Sequence, residues 1–334
     1  MNALYKRFTL FFIVVVILGS CNDLKDEKPV KLEGSAFGTS FHITYFDAKQ
    51  IDFSQPIDSL FSLVNNSLST YISNSDISKI NSGDSTIVVD RFFKEVFEKS
   101  LVIYKDTEGV FDPTIGILVN AWGFGPGKST EGLDSIKIKH LLSLVGFNKV
   151  NLQNGKVVKD NDSIYFDFNA IAKGYAVDVA GRFLEMKNIT NYLVEIGGEL
   201  RSKGINKSKN TSWKVGIEHP NYDGSRSFEK IIELNNQSMA TSGNYRKFKI
   251  DSVTGKKYAH IINSKNGYPA QSNLLSVSII AEKDCADVDA YATAVMAMPL
   301  IKAKNFLESK KELKGFIIYS DDSGAVKTFA TSNF

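Results

Sequence analysis

The sequence predicts an α+β fold, one large domain of mixed sheets and helices behind an export signal, and three observations lead there. Stretches with strand-like alternation and stretches with helical spacing are both present, but without the regular alternation of a doubly wound sheet. Nothing between residues 32 and 334 looks like a long linker, a low-complexity tract or an internal repeat. The chain has 334 residues, 43% hydrophobic and 23% charged, enough for a large core and unlike a mainly disordered or collagen-like chain. Lys and Arg number 40 against 37 Asp and Glu, a net charge of +3. That balance argues against a nucleic-acid partner, which selects a clustered basic face. Two cysteines exclude a disulfide-stapled scaffold and any four-cysteine zinc site.

The elements follow in chain order. Lys6 and Arg7 precede an apolar run at residues 8–18, broken only by Thr9. The run is too short for a comfortable membrane span and right for the h-region of a signal peptide. Leu18-Gly19-Ser20-Cys21 resembles a bacterial lipobox, so residues 1–20 read as a lipoprotein signal and Cys21 as the lipidated residue. Residues 21–32 then form a polar tether to a bilayer, and 33–334 the domain. Cys285 is left unpaired. Strands are expected at 40–46, 213–218, 274–280, 316–319 and 326–329, the last two joined by the turn Asp321-Asp322-Ser323-Gly324. Helices are expected at 57–68, 91–105, 136–145, 172–186 and 289–307. The clearest is 91–105, where Phe93, Val96, Phe97, Leu101 and Tyr104 recur at steps of three and four behind Asp90 as N-cap. No dinucleotide-binding G-x-G-x-x-G follows a strand and no P-loop occurs.

Five segments interrupt apolar runs with glycines and short polar residues. FDPTIG at 111–116 and NAWGFGP at 120–126 set Trp122 and Phe124 around Gly123, flat apolar faces beside exposed backbone; a structural aromatic loop would look the same. FDFNAIAKGY at 166–175 reads as a strand end entering a helix whose free N–H groups, with Lys173, suit a phosphate; a simply capped helix is the alternative. VEIGGE at 194–199 has paired glycines that allow close backbone approach or make a tight turn. ATSGNY at 240–245 and YAHIIN at 258–263 bring hydroxyls and His260 around a hairpin-like connection, where a lone histidine is more often structural than catalytic. Finally, Asp289 and Thr293 in DVDAYATA lie four residues apart, on one face of a helix, with Asp287 pointing elsewhere. A carboxylate and a hydroxyl make a sparse hard-cation site suited to Mg2+; an N-terminal helix acid and a packed threonine would show the same spacing.

Together and in this order, FDPTIG, NAWGFGP, DFNAIAKGY, LVEIGGE, ATSGNY, HII and DAYAT resemble the ApbE family of FAD:protein FMN transferases. The resemblance runs from about Gly38-Thr39 to Thr293. Two departures stand out: Ser264 replaces a usual proline, and Phe37 a frequent methionine. The resemblance implies that FAD is a substrate whose FMN half passes to a Thr or Ser hydroxyl of an acceptor flavoprotein, with release of AMP. It implies that Ala170 (through its carbonyl), Asp289 and Thr293 hold Mg2+. It also implies that Phe37, Tyr71, Trp122, Gly123, Phe124, Asp167, Lys173 and Ile261 hold the flavin nucleotide. His260 is the candidate base for the acceptor hydroxyl, since an ordinary imidazole titrates near neutral pH. Acceptors in the family include exported or membrane-bound electron-transfer subunits. The competing readings are a metal-dependent FAD pyrophosphatase, with water as acceptor, a non-catalytic flavin-binding lipoprotein, and a lipid-anchored interaction module with no small ligand.

Overall fold

A computed structural model describes residues 28–127, 129, 132–221, 225–244, 248–250 and 257–334. The signal peptide and Cys21 lie outside the described residues.

Its frame is an eight-stranded antiparallel sheet in the order β1-β2-β5-β6-β9-β12-β13-β14. These strands are Pro29–Ala36 (β1), Thr39–Phe46 (β2), Tyr192–Ile196 (β5), Glu199–Lys203 (β6), Ser238–Gly243 (β9), Leu274–Ala281 (β12), Lys314–Ser320 (β13) and Val326–Ala330 (β14). Alternation places Ile43, Tyr45, Val194, Ile196, Ala240, Val277, Ile279 and Ile317 on one face, in the main core with the helices. The opposite face carries Phe46, Leu200, Met239, Ile280, Phe316 and Ile318. It is covered by the hairpin of Trp213–Glu218 (β7) and Phe228–Leu234 (β8), through Trp213, Ile217, Ile232 and Leu234. The sheet is therefore the middle of three layers. Two further ribbons, Val150–Gln153 (β3) with Lys156–Lys159 (β4) and Phe248–Ile250 (β10) with Lys257–Ala259 (β11), lie outside it.

The helices are Ser54–Leu68 (α1), Asp76–Asn81 (α2), Arg91–Asp106 (α3), Gly116–Ala121 (α4), Ser135–Leu142 (α5), Ala172–Met186 (α6), Cys285–Met296 (α7) and Leu300–Ser309 (α8). Helix α3 begins as expected, with Asp90 accepting the Phe93 N–H. Three expectations are corrected. The stretch 289–307 is two helices, because Pro299 lacks an N–H and restricts the residue before it, ending α7 and opening α8 as its N-cap. Residues 29–32 are not tether: β1 begins at Pro29 and buries Leu32, so the domain starts four residues before 33. No strand leads into α6; only an isolated bridge between Ile115 and Tyr165 precedes it.

α6 carries four charged residues, of which Asp178 is fully buried. One of its oxygens accepts the Cys285 N–H and the other the Ala286 N–H, so α6 caps the first turn of α7. Arg201 of β6 pairs with Asp178 at 2.7 Å and with Asp284 at 2.8 Å, which ties both helices to the sheet. Asp284 also meets Lys99 at 2.8 Å and Arg182 at 2.7 Å. Although burial opposes it, Lys99, Arg182 and Arg201 hold the Asp284 carboxyl down at about 2. Gly174 in α6 allows this approach: a Cβ there would sit 2.4 Å from the Cys285 carbonyl oxygen.

Candidate active site

One end of the sheet brings together two hairpin tips from distant parts of the chain. The β1–β2 hairpin turns through Phe37 and Gly38, both with positive φ (52° and 73°), and the β5–β6 hairpin through Gly197 and Gly198 (62° and 102°). Because β2 pairs with β5, the two tips are neighbours, and Gly197 donates its N–H to Ser40 O. Positive φ at Phe37 is costly for a bulky residue and fixes its ring against Phe61, centroids 5.5 Å apart. The paired glycines are thus a tight turn, and they launch Glu199 at the start of β6.

Behind the tips, α6 and α7 converge. Asp289, 2% exposed, accepts the Gly174 N–H on Oδ2 at 3.0 Å. One helical turn on, the Thr293 hydroxyl is 3.1 Å from that of Ser242 at the end of β9. Ala170 lies in the turn before α6, four residues from Gly174. Asp287 points away, as expected, onto Lys99 at 3.0 Å. The free N–H groups expected at the start of α6 are corrected in part: Ala172 N–H goes to Phe168 O and Gly174 N–H to Asp289. Lys173 is not simply solvated. Its Nζ is 2.9 Å from Glu199 Oε1 and 3.9 Å from Asp289 Oδ2. Burial works against the ammonium, but Asp289 and Glu199 outweigh it and raise Lys173 above its usual range. Burial pushes the Glu199 carboxyl up to about 8, with Lys173 opposing and Asp289 adding. Asp289 is also raised by burial.

Those groups fit a divalent cation. Two buried carboxyl groups, Glu199 and Asp289, face the one Lys173 ammonium, and Thr293 carries a hydroxyl one helical turn from Asp289. No group of three His, Cys, Asp or Glu that could hold a metal occurs among the described residues. So sparse an all-oxygen set suits Mg2+, which keeps waters and substrate phosphates as its other ligands.

Asp167, 9% exposed, accepts the Asn169 N–H, donates its own to Pro113 O, and has its carboxyl raised by burial. Tyr71 is 62% exposed and within electrostatic range of Asp167. Trp122 closes α4, with Gly123 in the left-handed region (φ 73°) after it and Phe124 N–H returning to Val119 O. The Trp122 indole donates to Gly267 O and its ring lies 5.3 Å from that of Tyr258. The Trp122-Gly123-Phe124 corner is thereby joined to the 258–270 segment, which carries half-buried His260 and buried Ile261. In that segment Ser264, the departure from proline, donates to Gly109 O and Val110 O at 2.7 and 3.0 Å. Hydrogen bonds there fix the loop that a ring would otherwise stiffen.

Sequence reasoning missed Glu199 as a charged partner, noticing only its glycines, and missed Asp178 and Arg201. The available signal for Asp178 was an acid set between Val177 and Val179 on a helix.

The ApbE family model matches residues 37–317. A FAD:protein FMN transferase of Haemophilus influenzae is 34% identical over 322 residues, 92% of this chain and 91% of its own. One of Vibrio cholerae is 33% identical, over 96% and 95%. The solved flavin transferase ApbE of Vibrio cholerae superposes with a TM-score of 0.80 at 31% identity, over 92% of this chain and 98% of that one. The apo form of the Pseudomonas stutzeri flavinyl transferase ApbE gives 0.82 at 27% identity, over 93% and 97%. With this architecture and these matches along most of its length, the chain belongs to the ApbE family.

Proposed function

We propose that the chain is a FAD:protein FMN transferase that joins the FMN half of FAD to a Thr or Ser hydroxyl of an acceptor flavoprotein and releases AMP. Family membership supports flavin transfer. The observation that carries the finer reading is the juxtaposition of Asp289 and Thr293, one turn apart on α7, with Lys173 and the Gly174 N–H. Asp289, Thr293 and the Ala170 carbonyl would hold Mg2+, whose charge offsets that of the diphosphate.

The chain's own residues do the rest. Lys173 offers a point charge to a phosphate oxygen. The glycine tips at 38 and 197–198 let backbone approach the nucleotide, and Trp122 and Phe124 offer flat faces to its ring system. Asp167 is an acceptor for a hydroxyl or amine of the nucleotide. His260 takes the acceptor hydroxyl proton as the new O–P bond forms and the bond to the bridging oxygen breaks, AMP leaving with that oxygen. FAD is consumed as substrate, with no redox step. We also propose that Cys21 attaches the exported chain to a lipid bilayer; among the described residues no helix is long and apolar enough to cross one.

The test is Asp289→Ala, assayed for AMP release from FAD in Mg2+ buffer with and without an unmodified acceptor. We expect loss of transfer with the fold retained. Wild-type AMP release from the variant would refute the metal assignment. Equal release by the wild type without any acceptor would replace transfer by hydrolysis.

A further inference from the structure

We propose that Glu199 is a positioning residue that holds the Lys173 ammonium off Asp289 and so keeps that carboxylate open to a divalent cation. This rests on the metal reading above. Lys173 Nζ stands at 2.9 Å from Glu199 Oε1 and 3.9 Å from Asp289 Oδ2. Released from Glu199, a flexible four-carbon stem carries the ammonium onto Asp289 without moving the backbone. Asp289 would then be a neutralised acid with its ion pair already made. As built, Gly174 N–H occupies Oδ2, and Oδ1 makes no hydrogen bond among the described residues.

Stability does not account for Glu199. The residue is 3% exposed, and its Oε2 is buried with no hydrogen-bond partner among the described residues. A bare buried acceptor opposes folding. Nor is Glu199 needed to dock helix to sheet, since Arg201, two residues along the same face of β6, already binds Asp178 of α6 and Asp284 beside α7. What Glu199 adds is a second acidic partner for one ammonium, 2.9 Å from it and set at a fixed place by the Gly197-Gly198 turn.

Mn2+, read by electron paramagnetic resonance, is titrated into the full chain in detergent, saturated with FAD. Glu199→Gln is expected to weaken Mn2+ binding at least ten-fold while its melting temperature stays within a few degrees of wild type. Adding Lys173→Met to that variant removes the competing ammonium and is expected to restore most of the Mn2+ affinity. Wild-type Mn2+ affinity in Glu199→Gln, or no recovery in the double variant, overturns the proposal while the metal site stands. A wild-type chain that binds no Mn2+ overturns both. Should Glu199→Gln fail to fold, Glu199→Asp, with a shorter reach to Lys173, is expected to give a smaller loss in the same titration; wild-type binding by it overturns the proposal.

Discussion

Gly174→Ala is the sharpest test of how α6 and α7 build the site. Glycine inside a helix ordinarily costs about 1 kcal/mol against alanine, so propensity alone favours the substitution. Here the new methyl would lie 2.4 Å from Cys285 O, 2.7 Å from its carbonyl carbon and 2.8 Å from Ala286 N. All three are backbone atoms of the first turn of α7, and the Asp178 carboxylate holds that turn by two N–H groups. No side chain can swing aside, so the helices must part. Overpacking of this kind costs about 1–3 kcal/mol. Parting the helices also stretches the Gly174 N–H bond to Asp289, and hydrogen bonds to charged groups are worth about 1.5–3 kcal/mol. Set against the propensity gain, the net loss is about 1.5–5 kcal/mol, or a melting temperature lower by roughly 2–8 °C in a chain of this size. Calorimetry on metal-free protein measures it. A melting temperature at or above wild type would mean that propensity wins and that the contact between the helices is soft.

For His260→Ala we expect transfer to fall about 10²- to 10⁴-fold, the usual worth of a positioned base, with FAD binding retained in a fluorescence titration. Turnover equal to wild type from about pH 6 to 9, across the ordinary imidazole range, would remove His260 from the mechanism. Asp284 makes an acid-stability prediction. Its folded value of about 2 lies below the ordinary 3.8, so its contribution is present above about pH 4 and is lost as pH falls toward 2. At 1.36 kcal/mol per unit that is on the order of 2 kcal/mol. Urea unfolding of Asp284→Asn should show a shallower loss of stability between pH 4 and 2 than wild type; parallel curves would contradict the ion network.

Much of the architecture was legible because it rests on local period. The spacing in 91–105 and the acid before it gave α3 and its cap, and the alternation in 40–46 gave β2. The face shared by Asp289 and Thr293 was also local, a matter of four residues on a helix. What was not legible depends on tertiary pairing. Asp178 reaches its partners 23 and 107 residues away, and Glu199 meets a lysine brought to it by sheet docking. β1 was missed because an edge strand that buries little but Leu32 keeps a polar sequence. The break at Pro299 was readable, and the apolar spacing on either side of it masked the stop.

The scattered origin of the site has a consequence for how the chain comes of age. As proposed, its parts enter at Phe37, then at 167–174, then at Glu199, Ser242 and His260, and last at Asp289 and Thr293. An emerging polypeptide therefore owns no working centre until its final helices have packed. A nucleotide that recognises only the finished assembly adds about 2.7 kcal/mol to it at a hundred times its dissociation constant. Occupancy would thus serve as a check on completed folding and as a brace across segments far apart in the sequence.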